Sequence, residues 1–154
     1  MSTSIRESIL ADIETVLKTI TTGNGYNNTI ANVERWKQKG NDIRLVPCII
    51  ILSGPEAKSP GPDPQTDCVF QVILDVWMCQ DDTAVTNSDT ILSSLLLDIE
   101  KALMADSQRG GYATDTNLIS AVPFETVEGQ PYFGLLITLE INYQHNRKDP
   151  AVYV

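Results

Sequence analysis

Two long runs of this chain alternate apolar residues with mixed ones. In residues 67–79 the even-numbered positions from 70 to 78 are all apolar, and in residues 131–143 the odd-numbered positions from 133 to 143 are. Side chains alternate across a strand, so each run predicts a β-strand with one fully buried face. The other faces mix polar and apolar residues, which predicts a sheet that the core covers on one side only.

The remaining segments predict two helices and three further strands. Apolar residues at helical spacing predict helices at 3–20 and 88–105. Strand character is found at 29–36, 46–53 and 117–126. The order of these elements predicts an α+β domain, with a largely antiparallel or mixed sheet of about five strands and two helices packed on one face.

The length of 154 residues predicts one domain, residues 1–143, followed by a polar C-terminal tail at 144–154. A domain of this size buries roughly 68 to 70% of its unfolded surface, so its core needs no metal or disulfide. The first residues lack the basic region and apolar core of a signal peptide, which favours synthesis in a reducing cytosol. No run approaches the roughly 18 apolar residues of a membrane span, so we expect no membrane partner.

The charge and the cysteines exclude some classes of partner. The net charge is −9, and the 11 Lys and Arg residues are scattered. Binding to phosphates needs clustered cations, so we expect no direct nucleic-acid surface. Cys48, Cys68 and Cys79 lie inside apolar strand patterns and lack zinc-ligand spacing, which favours buried core residues over a disulfide or a metal site.

Residues 53–66 contain four prolines and two glycines. Proline cannot donate to a strand ladder and glycine weakens one, so this segment predicts a long exposed loop that a neighbouring molecule would order. Leu97 lies off the main apolar stripe of the second helix, and either a wide buried stripe or an oligomer contact would explain it. The residues predicted to contact neighbours are Gly54, Pro55, Glu56, Lys58 and Pro60 in the loop, Leu97 on the helix, and Arg147 and Lys148 in the tail.

No residue pattern predicts a catalytic centre. The single histidine, His145, falls in the predicted tail without an adjacent Ser or Cys nucleophile. Asp81 and Asp82 are candidate ligands for Mg²⁺, although their spacing is not that of a calcium loop and a solvated connection is the favoured interpretation. We therefore predict a protein that is not an enzyme and has no cofactor. Salt or Mg²⁺ near these aspartates would favour assembly by screening the negative charge.

The aromatic residues leave two interpretations open. Trp36 and Trp77 fall on mixed strand faces, and Tyr26, Tyr112 and Tyr132 lie near turns. Each residue fits either the core or an interface, because aromatic residues concentrate at interface cores.

A series of short segments follows the predicted elements in order. They are Gly25-Tyr26 after the first helix, residues 33–36 (VERW), 47–51 (PCIII), 54–56 (GPE), 80–82 (QDD), 98–103 (DIEKAL) and 139–143 (LEINY). This ordered set, which spans most of the chain, resembles the tail terminator and tail completion proteins of long-tailed bacteriophages.

The resemblance implies a small α+β subunit that forms a ring, typically of six, at the head-proximal end of the tail tube. Such a ring stops polymerisation of the tube and presents a surface to the head-neck proteins. The implied partners are further copies of the chain, a tail tube protein and a head-neck connector protein, and the implied location is the virion tail after assembly in the host cytoplasm. The alternatives are another neck or head-completion component, a small non-catalytic binding module, or a small enzyme.

Overall fold

The computed structural model describes residues 2–79, 87–125 and 131–154. In chain order its elements are α1 (Ile5–Leu17), β1 (Asn32–Arg35), β2 (Cys48–Pro60), β3 (Gln65–Cys79), α2 (Ser88–Met104), β4 (Asp115–Glu125) and β5 (Tyr132–Asn146). Short 3₁₀ turns lie at Thr22–Asn24 and Arg109–Gly111. The predicted α+β class is confirmed, with five strands in one mixed sheet.

The strand order across the sheet is β1-β2-β3-β5-β4. β1 runs parallel to β2, and the other neighbouring pairs are antiparallel. The register of β3 on β5 is unbroken from Gln65↔Asn146 to Cys79↔Tyr132. Because this register places the even positions of β3 opposite the odd positions of β5, the two apolar faces form one continuous surface.

Both helices bury their apolar stripes against that surface, as predicted. The Ser4 side chain caps α1 by accepting a hydrogen bond from the Glu7 backbone N–H at 3.1 Å. The helix ends at Leu17, earlier than the predicted Ile20, although Ile20 is still buried. α2 buries Leu95 and Ile99 on the same side of the sheet, so one core lies between the helices and the inward faces of the strands.

Two buried charged side chains hold the loops around the helices. Asp98 of α2 accepts hydrogen bonds from the backbone N–H groups of Asn27 at 3.1 Å and Asn28 at 2.8 Å. Arg109 is fully buried, and its guanidinium donates to the carbonyls of Leu103 and Asp106. Both groups bind backbone, so their roles are structural.

The segment 53–66, predicted as an exposed loop, is instead the outer part of the β2–β3 hairpin, and we term it the arm. Residues 53–60 continue β2 and pair with β3 as far as Pro60↔Thr66, with a bulge between Ser53 and Glu56. The turn at 61–64 then leads into β3. At the bulge the backbone of Gly54 approaches β3 closely, and a Cβ there would lie 2.8 Å from the Gln71 carbonyl oxygen.

The prediction of a loop was wrong because proline, which has no backbone N–H, is excluded from a strand only at positions where that N–H would donate a hydrogen bond to a neighbouring strand. β1 ends at Arg35, opposite Ile51, so the rest of β2 is an edge strand within the described residues. Pro55 lies in the bulge and Pro60 at the end of the strand, which are positions that tolerate proline.

The predicted tail at 144–154 is also part of the fold, so the domain does not end at residue 143. Residues 144–146 complete β5, and the following residues turn back onto the domain. The Arg147 backbone N–H donates to the Pro64 carbonyl at 2.7 Å, and the Ile5 backbone N–H donates to the Pro150 carbonyl at 3.2 Å. The sequence did not reveal this because the inward residue after Tyr143 is His145, so the apolar half of the alternation stops although the strand and its burial continue.

Candidate functional site

The face of the sheet opposite the helices carries exposed apolar side chains. We term it the outer face, formed by the outward residues of β3, β5 and β4. Val122 is 55% exposed and Leu136 is 40% exposed, and these two residues are direct neighbours across β4 and β5. Other outward residues are Val69, Gln71, Ile73, Asp75 and Trp77 on β3, Thr138 and Glu140 on β5, and Asn117, Ser120 and Phe124 on β4.

An aromatic cluster fixes one end of the outer face. Trp77 lies edge-on to Phe124, with ring centroids 4.9 Å apart, and to Tyr132 at 6.1 Å. Gly134 of β5 lies between Trp77 and Phe124 in the register. Its missing side chain gives room for this packing, because a Cβ at Gly134 would lie 2.7 Å from Phe124 Cζ and would overlap the Val76 carbonyl oxygen.

The outer face is acidic. Asp75 and Glu140 occupy its central strands, Asp115 lies at the start of β4, and no Lys or Arg stands at an outward position in the described parts of β3, β4 and β5. Burial raises the pKa of Asp75, and the neighbouring Trp77 indole offsets part of that rise although the pair does not reach good hydrogen-bond geometry. A partner with apolar and cationic groups would fit this surface best.

Replacement of Asp75 by Asn is expected to stabilise the isolated subunit near pH 7. The pKa of Asp75 in the folded state lies above its unfolded value of about 3.9. The wild-type fold therefore loses stability as the pH rises from the unfolded pKa through the folded pKa. The Asn variant has no titrating group at this position and keeps its stability over the same pH range. The advantage of Asn should therefore disappear on acidification below the unfolded pKa. Urea midpoints of both proteins from pH 3 to 8 measure the effect, and a constant difference at every pH would contradict it.

The β1–β2 loop, residues 36–47, covers the outward side of β1 and β2. The Asp42 carbonyl accepts hydrogen bonds from Asn32 Nδ2 at 3.2 Å and from Cys48 Sγ at 3.7 Å. Cys48 is therefore buried although it points outward, and burial raises the pKa of its thiol to about 11. Cys48 and Cys68 are buried, as predicted, whereas the prediction of a buried position is wrong for Cys79, which is partly exposed.

The inner side of the arm carries a polar cluster in which Tyr143 and His145 are buried, Glu56 is half-buried and Lys58 is exposed. Glu56 accepts a hydrogen bond from the Tyr143 hydroxyl and lies 3.6 Å from Arg6 Nε of α1. Lys58 Nζ lies 2.9 Å from His145 Nε2. His145 Nδ1 lies 2.8 Å from the Asn146 carbonyl, which can only accept, so we assign the ring proton to Nδ1 and the acceptor role to Nε2. These contacts attach the arm to β5 and to α1.

The cluster is built for attachment rather than for reaction. Burial and the Glu56 carboxylate raise the pKa of Tyr143, and burial raises the pKa of the Cys68 thiol, so both groups remain protonated and weakly nucleophilic. Within the described residues no group of three His, Cys, Asp or Glu side chains could hold a metal ion. The candidate magnesium ligands Asp81 and Asp82 lie outside the described residues.

Replacement of Tyr143 by Phe is expected to destabilise the fold by about 1 to 3 kcal/mol. The change removes a buried donor to a carboxylate and leaves Glu56 with only the longer contact to Arg6. Denaturant unfolding at neutral pH measures the change in the free energy of unfolding. Tyr112 is a matched control, because its side chain is exposed and its hydroxyl makes no hydrogen bond in the described part of the chain. Equal stability of the Tyr143→Phe variant and the wild type would show that the bond contributes nothing.

The residues predicted to contact neighbours fall into two groups: some contact groups of their own subunit, and the others are exposed. Glu56 and Lys58 bind groups of their own subunit, and Gly54 forms the bulge. Leu97 is 57% exposed, so the wide buried stripe is the wrong explanation for it. Pro55, Pro60, Arg147 and Lys148 are also exposed.

Sequence reasoning missed the exposed apolar residues Leu45, Val122 and Leu136. The signal available for the last two was their outward position in alternating strands. That signal does not say whether another segment covers them.

A cleft of about 400 Å³ lies at the edge of the sheet where β1 ends. It is lined by Arg35, Trp36, Ile51, Leu52 and Ser53, all from β1 and β2 or the residue that follows β1. Its one charged group is already occupied, because the Arg35 guanidinium makes two hydrogen bonds to the Glu7 carboxylate at 2.9 and 3.2 Å. The cleft is thus an open sheet edge whose charged side chain is not free to orient a small ligand.

No protein-family model and no curated protein matches this sequence. Across residues 2–79, 87–125 and 131–154, no helix is long and apolar enough to span a membrane.

Proposed function

We propose that this chain is a structural subunit of a bacteriophage tail that forms a ring, typically of six copies, at the head-proximal end of the tail tube. The ring stops polymerisation of the tube and offers the surface that joins the head-neck connector. The work is mechanical, without a chemical step or a cofactor, and takes place in the virion tail after assembly in the host cytoplasm.

The uncovered outer face is the observation that carries this proposal. Val122 and Leu136 expose apolar surface side by side, with Trp77 and Phe124 beside them. Apolar side chains that are exposed side by side on a soluble protein, rather than singly, mark a candidate site of interaction. A sheet with one buried and one accessible face therefore supports a protein whose function is contact with other proteins.

The arm supports the same proposal. It extends β2 and β3 as a paired hairpin and is attached at its base by the Glu56–Tyr143 and Lys58–His145 contacts. A hairpin held in this way presents a defined surface to a neighbour at a low entropic cost of binding. The exposed residues Pro55 and Pro60 on its edge also discourage uncontrolled strand pairing.

The ordered likeness to tail terminator proteins selects this assembly among the possible ones. A cap on a growing tube must match the last tube layer on one side and refuse another layer on the other side. Such discrimination comes from complementarity on one surface and mismatch on the other. A small subunit with several distinct exposed surfaces meets this requirement.

Deletion of the gene from its phage, followed by electron microscopy of the lysate, tests the proposal. We expect tails of uncontrolled length that fail to join heads, and recovery of normal particles when the wild-type gene is supplied from a plasmid. Tails of normal length on intact particles would exclude the terminator role. Tails of normal length that are detached from heads would instead indicate another neck or head-completion component.

A further inference from the structure

We propose that copies of this chain join head to tail, with the β1–β2 loop of one copy docked on the outer face of the next. The inference rests on the proposed self-assembly and names the two surfaces that would produce it.

The β1–β2 loop is apolar and cationic. Trp36 is 63% exposed and Leu45 is 59% exposed, which makes them the two most exposed large apolar side chains in the described residues. The loop carries Lys37, Lys39 and Arg44 against one acid, Asp42, so its net charge is +2 in a chain of net charge −9. Arg44 pairs with Asp42 and Lys37 with Glu34, whereas Lys39 makes no ion pair in the described part of the chain.

The outer face is complementary to this loop in its exposed apolar surface and in its charge. Val122 and Leu136 offer exposed apolar surface that Trp36 and Leu45 would cover. Glu140 lies four residues from Leu136, two outward positions along the same face of β5, and has no ion pair among the described residues, so it can receive Lys39. Trp and Arg, which the loop supplies as Trp36 and Arg44, are among the residue types that most often dominate binding energy.

The positions of the two surfaces fit a ring. β1 and β4 are the opposite edges of the sheet, and the contacts of Asp42 with Asn32 and Cys48 place the loop on the outward side. In the proposed contact, rotation of one copy about an axis beside the sheet places the β1 edge of one subunit at the β4 side of the next. Contacts between two different surfaces repeat around an axis and generate a ring when the rotation closes.

Charge disfavours the symmetric alternative, in which two outer faces pack on each other. That arrangement would bring Asp75 and Glu140 against the same residues of the other copy, and like charges across an interface cost free energy. In the head-to-tail contact the cationic loop meets these carboxylates. At about 0.15 M salt the Debye length is about 8 Å, so the repulsion of whole subunits is screened more than the close contacts.

Two surface variants test the inference. Trp36→Ala with Lys39→Ala alters only the loop, and Val122→Lys with Glu140→Lys alters only the outer face. Circular dichroism and thermal unfolding first establish that both are folded. Sedimentation at about 0.15 M salt, over a range of protein concentrations, then gives the mass of each species. We expect rings for the wild type, monomers for each variant alone, and dimers with one copy of each variant for the equimolar mixture, since the mixture retains one intact contact.

The other outcomes overturn the inference in distinguishable ways. Rings in both variants would mean that copies join through other surfaces, which leaves the proposed function standing. Loss of assembly in the outer-face variant alone would overturn the role of the β1–β2 loop. A wild type that stays monomeric at every concentration would overturn both this contact and the proposed self-assembly. Tyr112→Ala serves as the control, because Tyr112 is exposed and directly follows the 3₁₀ turn Arg109–Gly111, which contacts α1 on the helix side of the sheet. Leu97→Ala tests the competing contact on α2.

Discussion

Gly134→Ala is expected to destabilise the protein by about 3 kcal/mol, the upper end of the cost of overpacking a tight interior. The new Cβ would overlap the backbone carbonyl of Val76 on β3, and this atom cannot rotate away as a side chain would. It would also lie 2.7 Å from Phe124 Cζ, so the variant must separate β3 from β5 locally and displace the aromatic cluster. Denaturant unfolding measures the loss, and weaker near-ultraviolet circular dichroism from Trp77 should accompany it.

Gly23→Ala is the matched control for this experiment. A Cβ at Gly23 would meet nothing closer than the Thr21 hydroxyl at 3.8 Å, so the fold can accept it. We expect a change within about 0.5 kcal/mol, as for most surface substitutions. An equally small change for Gly134→Ala would show that β3 and β5 are farther apart at this point than the structure places them.

Leu74→Ala is expected to cost about 2 to 5 kcal/mol, the range for truncation of a buried aliphatic side chain. Leu74 is fully buried on the inward face of β3, opposite Ile137 of β5, and lies in the core under the helices. Truncation removes apolar contacts and leaves a cavity that strands on both sides hold open. Urea unfolding with an unchanged m-value would report the cost as a shift in midpoint.

Leu97→Ala provides the comparison for the same chemical change at an exposed position. In the isolated subunit we expect a change within about 0.5 kcal/mol. Similar losses for Leu74→Ala and Leu97→Ala would mean that the inward faces are wrongly assigned.

The candidate site was only partly predictable. The sequence identified Trp36 and Trp77 as possible interface residues, and both lie in or beside the surfaces that form the site. It also selected the proline-rich segment as important, but it did not predict a paired hairpin attached through Tyr143 and His145. These contacts join residues 87 positions apart, and no local pattern encodes such a pairing.

What the sequence determined by itself was the set of elements and their inward faces. Alternation in β3 and β5 and the helical spacing in α1 and α2 reflect burial, which depends on local periodicity. Tertiary structure decided the strand order, and with it which strands have free edges and tolerate prolines such as Pro55 and Pro60. It also decided that the β1–β2 loop covers Cys48 while Val122 remains exposed, because exposure of an outward residue depends on which distant segment crosses it.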